Sequence, residues 1–228
     1  MLKLMKLELQ RINLHAYFVS VLIFGAVFTY FVAYVAQVEQ ETQFMNYGNI
    51  LRLTGAISVI LFSVLSATMY SRIIIGEYSG RRLALLFSYP VSRKKIFLSK
   101  VLIVFLFVFL SMLLCTAVSI AIFTVTESAA PIVSDVMTGS MIAEVCRTTV
   151  VSLIAVNAIG LISMRIGFIR KSVPAALISS FILAGVYGNI AVGGAETPAV
   201  SLLAAGVSLI VIFVVIVTLS NKIHHMEA

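Results

Sequence analysis

The sequence predicts an all-α integral membrane protein with about six transmembrane helices and both termini in the cytosol. Three observations predict it: the composition, the spacing of uncharged blocks, and an asymmetric distribution of basic residues. Of 228 residues, 61% are hydrophobic and 11% are charged, and the mean hydropathy is +1.12. Ordinary soluble domains are roughly 45–50% apolar and about 25% charged. A soluble chain of this length can bury a core but still needs a polar surface, and too few polar residues exist here to cover one.

The chain opens on an amphipathic segment, residues 1–14. Leu2, Met5, Leu9 and Ile12 recur at helical spacing, while Lys3, Lys6, Gln10 and Asn13 fall elsewhere on the wheel. Such a segment is expected to lie as an interfacial helix on the inner surface, apolar face in the headgroup region. Its basic residues resemble a positive leader, but the apolar block that follows is too long and lacks an A-x-A site. That block reads as a retained first span.

Six blocks free of Asp, Glu, Lys and Arg then place spans near 15–37, 52–71, 100–126, 143–164, 172–191 and 199–220, a single transmembrane domain over 1–228. A helix needs about 20 apolar residues to cross a hydrocarbon layer of roughly 30 Å. The fourth block is short unless its helix begins near Ala143 and takes Glu144 and Arg147 into the outer turn. Three residues apart on one helical face, those two can pair there.

Orientation follows from the basic side chains. With both termini inside, all but two of the 16 Lys and Arg residues face the cytosol, the exceptions being Arg52 and Arg147. The external loops carry Glu39, Glu41, Glu127, Asp135, Glu144 and Glu196 instead. The net charge of +7 therefore belongs to a membrane face bearing anionic lipid and does not indicate nucleic acid. A multi-pass protein of a prokaryotic plasma membrane fits this pattern.

Within the spans, small residues form stripes: Ser111, Cys115 and Ser119 on span three, and Ala176, Ser180, Ala184 and Gly188 on span five. Small residues let helices approach closely in lipid, so both stripes mark helix contacts, within the subunit or between subunits. Cys115 and Cys146 are expected at different depths, too far apart for a disulfide, and read as small residues packed between helices. Gly193-Gly194 and Pro198 mark the last external connection as a turn or a short re-entrant break.

Several enzyme chemistries lack their residues. No H-E-x-x-H supplies two zinc ligands one turn apart, no carboxylate cluster holds magnesium, and no G-x-x-x-x-G-K-[ST] cradles ATP. No metal site and no catalytic residue is therefore expected in this chain. Ion-coupled carriers place an ionisable group within the membrane, yet the centres of all six blocks are uncharged. Asn157, midway along span four, is the most polar deep residue, and it reads as an interhelical hydrogen bond or a substrate contact.

The one long cytosolic segment, residues 72–99, lies between spans two and three. Leu83, Leu86 and Phe87 can form an apolar face flanked by Arg81 and Arg82. Tyr89-Pro90 should end that short helix, because the residue before proline disfavours helical geometry. Ser92 is placed to cap the helix that becomes span three, entering the bilayer past Arg93, Lys94, Lys95 and Lys100.

The succession Glu77, Gly80, Arg81, Leu85-Leu86, Pro90-Val91-Ser92-Arg93, Ile96 and Lys100 resembles the signature region of ABC-2 type transporter permeases. Chain length, six spans, inside termini and an amphipathic N-terminus match as well. The resemblance implies a permease that dimerises with an identical or sibling subunit and docks on two copies of a separate ABC ATPase, which binds the ATP and magnesium. The segment 77–88 is similar to that family's coupling helix. By that resemblance Glu77 anchors the helix, pairing with Arg81 or Arg82, while Leu85, Leu86 and Phe87 touch the ATPase and Pro90 fixes the break. The last external connection departs from relatives that place paired re-entrant helices there. Small permeases of this kind resemble those that export antimicrobial peptides or confer resistance to them, so a peptide or other amphiphile is the expected cargo. A stand-alone carrier or small-molecule binding component without an ATPase is the alternative.

Overall fold

The computed structural model describes residues 15–38, 47–75, 93–129, 139–170, 172–194 and 197–225. They form six α-helices: α1 His15–Val38, α2 Tyr47–Tyr70, α3 Arg93–Ala129, α4 Gly139–Arg170, α5 Val173–Gly194 and α6 Pro198–His225. A π-helical turn, Ser71–Ile75, continues α2. No strand occurs among the described residues. Residues 1–14, the segment 76–92 and most of the connecting loops lie outside them.

Four helices are long and apolar enough to cross a membrane, through Arg52–Ile74, Lys94–Val125, Ala143–Arg170 and Ala199–Asn221. α1 and α5, of 24 and 22 residues, contain no Asp, Glu, Lys or Arg. With 37 residues, α3 extends about 55 Å at 1.5 Å per residue, well beyond a 30 Å hydrocarbon layer. Its first two turns hold Arg93, Lys94, Lys95 and Lys100, which is why the uncharged block starts later than the helix. At the other boundary, α4 runs to Arg170, six residues past the sequence estimate.

Helices α2 and α4 form the centre. In each, 56% of the membrane-length stretch is buried, against 17% in α6. α2 packs on α4 and α5, α4 packs also on α5 and α6, and α1 rests mainly on α3. The core joins Val59, Phe62 and Tyr70 of α2 to Val104 and Val108 of α3 and to Val156 and Leu161 of α4. Facing outward are Ile178, Phe181 and Ile182 of α5, with Leu202, Leu203, Ile210 and Phe213 of α6. Such a surface is too apolar for water and suits lipid.

Side-chain pairs fix the helix directions. Phe18 meets Phe107, and Thr29 shares a 3.0 Å hydrogen bond with Ser119, so α1 and α3 run parallel. Arg52 meets Glu144 and Ser66 meets Gly160, so α2 and α4 do too. The start of α2 faces Thr116 and Ile120, and the π turn at its other end also packs on α3, so this pair runs antiparallel, with Arg52 near one end of the bundle and Lys100 near the other.

Both small-residue stripes make helix contacts within the subunit. Ala176, Ser180 and Ala184 are fully buried, and Gly188 sits 4.0 Å from Ala56 of α2 where a Cβ would stand. On α3, Ser119 bonds Thr29, and the Cys115 thiol points at the Val21 carbonyl of α1, 3.8 Å away. Both cysteines are free thiols, but Cys146 is exposed, so only Cys115 fills a helix contact. α5 ends at Gly194 and α6 begins at Pro198, with Val200 N–H bonded back to Thr197 O at 3.1 Å, and most of the connection expected as a turn or re-entrant break lies outside the described residues. Proline suits a first helical position because its missing N–H would have no partner there.

Candidate functional site

The central helices meet along a polar seam. Ser63, Ser66, Tyr70 and Ser71 on α2, and Asn157 and Ser163 on α4, are buried. Their side-chain oxygens have no hydrogen-bond partner among the described residues. Each such oxygen costs roughly 1–3 kcal/mol relative to a paired one. Asn157 differs from the sequence reading: its amide Nδ2 donates at 2.9 Å to Leu153 O, one turn back on α4, and not to a neighbouring helix. A side-chain bond to a carbonyl four residues back leaves the other helix uninvolved, and Oδ1 stays unmatched.

Toward the Arg52 end the seam opens into a cavity of about 70 Å³ between α2, α3 and α4. Arg52 Nη2 reaches Glu144 Oε1 at 3.2 Å, and both side chains line the cavity. Glu144 thus pairs across the interface, because parallel packing brings Arg52 to it. Thr54, Ser58, Thr116 and Thr148 also line this cavity. Thr148 and Ser152 also border a smaller void of about 30 Å³, lined by Tyr187 of α5 and by Val200 and Ser201 of α6.

At the opposite end the chain leaves α2 through the π turn. Ser71, Ile73 and Ile74 are buried while Arg72 is exposed, and the turn touches α3, α4 and α5. Single π turns frequently mark functional positions. The helix on the far side of the loop is seated equally deeply: Ile96, Phe97 and Lys100 of α3 are buried, Lys100 to 1% exposure. A lysine so enclosed anchors the start of α3, since moving its charge breaks whatever compensates it.

Among the sequence-predicted coupling residues, Glu77, Gly80, Arg81, Arg82, Leu85, Leu86, Phe87 and Pro90 lie outside the described residues, and Arg93 is the first residue of α3. The helix begins immediately after Ser92, where the capping argument places it. What sequence reasoning missed is the seam itself. Its signal was present as Ser63 and Ser66 on α2 against Gly160 on α4, all mid-span, but no stripe rule links two separate helices.

A model of the family described as ABC-2 family transporter protein matches residues 4–188, from the amphipathic start through α5. The chain belongs to this ABC-2 transporter family. As an ABC-2 permease it is a multi-pass membrane component of transport, and the family implies an ABC ATPase partner. YcbO, an uncharacterized protein of Bacillus subtilis (strain 168), is 24% identical over 185 residues, 80% of this chain and 81% of YcbO. No solved structure matches at a significant level. In this ABC-2 chain, then, the segment 76–92 is rooted at both ends in the helices that form the polar seam and the Arg52 cavity.

Proposed function

We propose that the chain is the permease subunit of an ATP-binding cassette exporter that moves a peptide or other amphiphile across a prokaryotic plasma membrane. It has no catalytic residues of its own; ATP and magnesium bind a separate ATPase, present in two copies beneath a pair of permease subunits. The observation carrying this reading is the buried π turn. A segment that receives force from a cytosolic partner must be tied rigidly to the spans it moves, and Ile73 and Ile74 fix its start among three helices. Packed interiors transmit such displacements because they are close-packed and incompressible. A free-standing carrier has no need of that root. Apolar outer faces on α5 and α6 support an amphiphilic cargo that approaches from the bilayer.

The test is affinity purification of the chain from its native membrane in mild detergent, with mass spectrometry of what accompanies it. An ATPase subunit in near-equal amount is the expected result. Recovery of the chain alone, from a detergent that preserves known complexes, overturns the reading in favour of an independent carrier. Leu86→Asp should remove the ATPase while leaving membrane insertion intact, because a charge on the apolar docking face costs desolvation only in the complex.

A further inference from the structure

The Arg52 cavity has a chemistry that coupling to an ATPase does not use. Thr54 donates its hydroxyl proton to Ile50 O at 2.6 Å, and Ser58 donates to Thr54 O at 2.8 Å. Thr116 donates to Met112 O and Thr148 to Glu144 O, each at 2.9 Å. A hydroxyl has one proton and two lone pairs, so all four side chains have spent their donor and keep only acceptor capacity. Ser58 is fully buried, and Thr54 and Thr116 are 7% exposed. The carboxylate of Glu144 accepts only, and the one donor it meets among these lining groups is the Arg52 guanidinium, 3.2 Å away. From α2 the charge facing the cavity is Arg52 and from α4 it is Glu144; α3 contributes Met112, Thr116 and Ile120, without charge. Arg147 does not line it.

Four hydroxyls with spent protons, among the six that line the cavity, favour a compact donor. About 70 Å³ gives room for a few water-sized groups, enough for a primary ammonium and too little for a quaternary one with bulky arms. An ammonium carries three donors and a full charge, which matches a carboxylate that shares a cavity lining with hydroxyl oxygens.

We infer that this cavity is a binding site for a small primary ammonium group, which takes the place of the Arg52 guanidinium on Glu144. Its role as the positively charged end of the exported amphiphile rests on the reading above; the site itself does not. Exchange of one cation for another at Glu144 keeps the carboxylate paired throughout, and the displaced Arg52 guanidinium, on a side chain already 22% exposed, turns to solvent. Separation of Arg52 from Glu144 then releases α2 from α4 at this end.

The experiment is calorimetric titration of the full-length chain in nanodiscs with ethylammonium chloride, using tetraethylammonium chloride at equal ionic strength as control. Saturable binding of ethylammonium and none of tetraethylammonium is expected. Arg52→Ala removes the competitor and should tighten binding roughly fivefold. Glu144→Gln should weaken it more than about tenfold, and Thr116→Val and Thr148→Val, which keep shape and remove an acceptor, should each weaken it several-fold. No saturable binding to the parent chain, or binding that Glu144→Gln and both valine variants leave unchanged, overturns the assignment, as does weaker binding in Arg52→Ala. An ATPase that copurifies with a chain unable to bind ethylammonium sinks this site alone; ethylammonium binding by a chain without an ATPase keeps the site and sinks the export reading.

Discussion

Gly160 of α4 lies so close to Ser66 of α2 that a Cβ built on the glycine would stand 2.0 Å from the serine hydroxyl oxygen and 2.9 Å from its Cβ. Tyr70 closes the same spot, with Cε2 at 3.1 Å. No rotamer of Ser66 relieves a clash with its own Cβ, so the two backbones depend on a glycine here. This crossing holds the parallel pair α2 and α4 together midway between the Arg52 cavity and the π turn.

Gly160→Ala should therefore destabilise the chain by about 1–3 kcal/mol, the usual cost of forcing atoms into a packed interior. Ser66→Ala should not restore stability, because its Cβ remains, whereas Ser66→Gly in the Gly160→Ala background should restore most of it. Thermal unfolding in detergent reads all three. A Gly160→Ala chain as stable as the parent would show that α2 and α4 do not cross at this point.

Asn157 offers the opposite expectation. Its Oδ1 is buried without a partner among the described residues, and its amide bond to Leu153 O adds a second donor to a carbonyl that helix geometry already serves. Replacing an unmatched polar group by an apolar one of similar size removes a desolvation cost and is neutral or favourable. Asn157→Leu should raise the midpoint of thermal unfolding, or leave it unchanged. A loss of stability above about 1 kcal/mol would mean that Oδ1 is paired in the folded protein.

The helices themselves were legible because lipid imposes a length and a polarity that sequence displays directly: uncharged blocks predict α2, α3 and α6 with only their ends misplaced. The ends went astray for one reason. A charged residue closes an apolar block, yet Lys95 near the start of α3 and Arg165 near the end of α4 both sit inside helices. Spacing along one helix likewise exposed the stripe at Ala176, Ser180 and Ala184, but not its partner, since Ala56 on α2 is an ordinary residue there. Asn157 drew notice as a polar residue at depth, while the buried hydroxyls of Ser63 and Ser66 on α2 did not, because serine is common in membrane helices. Sequence periodicity reports one helix at a time, and every feature missed here belongs to two.

The Arg52–Glu144 pair should contribute modestly to stability in the absence of a ligand. Both side chains are part-exposed, 22% and 35%, which places the pair with screened ion pairs. A double-mutant cycle through Arg52→Ala and Glu144→Ala should give a coupling of about 0.2–1 kcal/mol that shrinks at high salt. A coupling well above that, insensitive to salt, would describe a dehydrated pair and a permanently closed end.

Cysteine labelling checks the orientation that charge sorting predicts. Cys146 is exposed on α4 at the Arg52 end, two residues beyond Glu144, whereas Cys115 is half-buried on α3 with its thiol on the Val21 carbonyl. A membrane-impermeant maleimide added to intact cells should modify one cysteine per chain, and Cys146→Ser should abolish the signal while Cys115→Ser preserves it. Basic residues resist translocation, so the Arg52 end, with few of them, belongs outside. Modification of Cys146 only after the cells are opened would invert the bundle, putting the ammonium site on the cytosolic side and the π turn where no cytosolic ATPase could reach it.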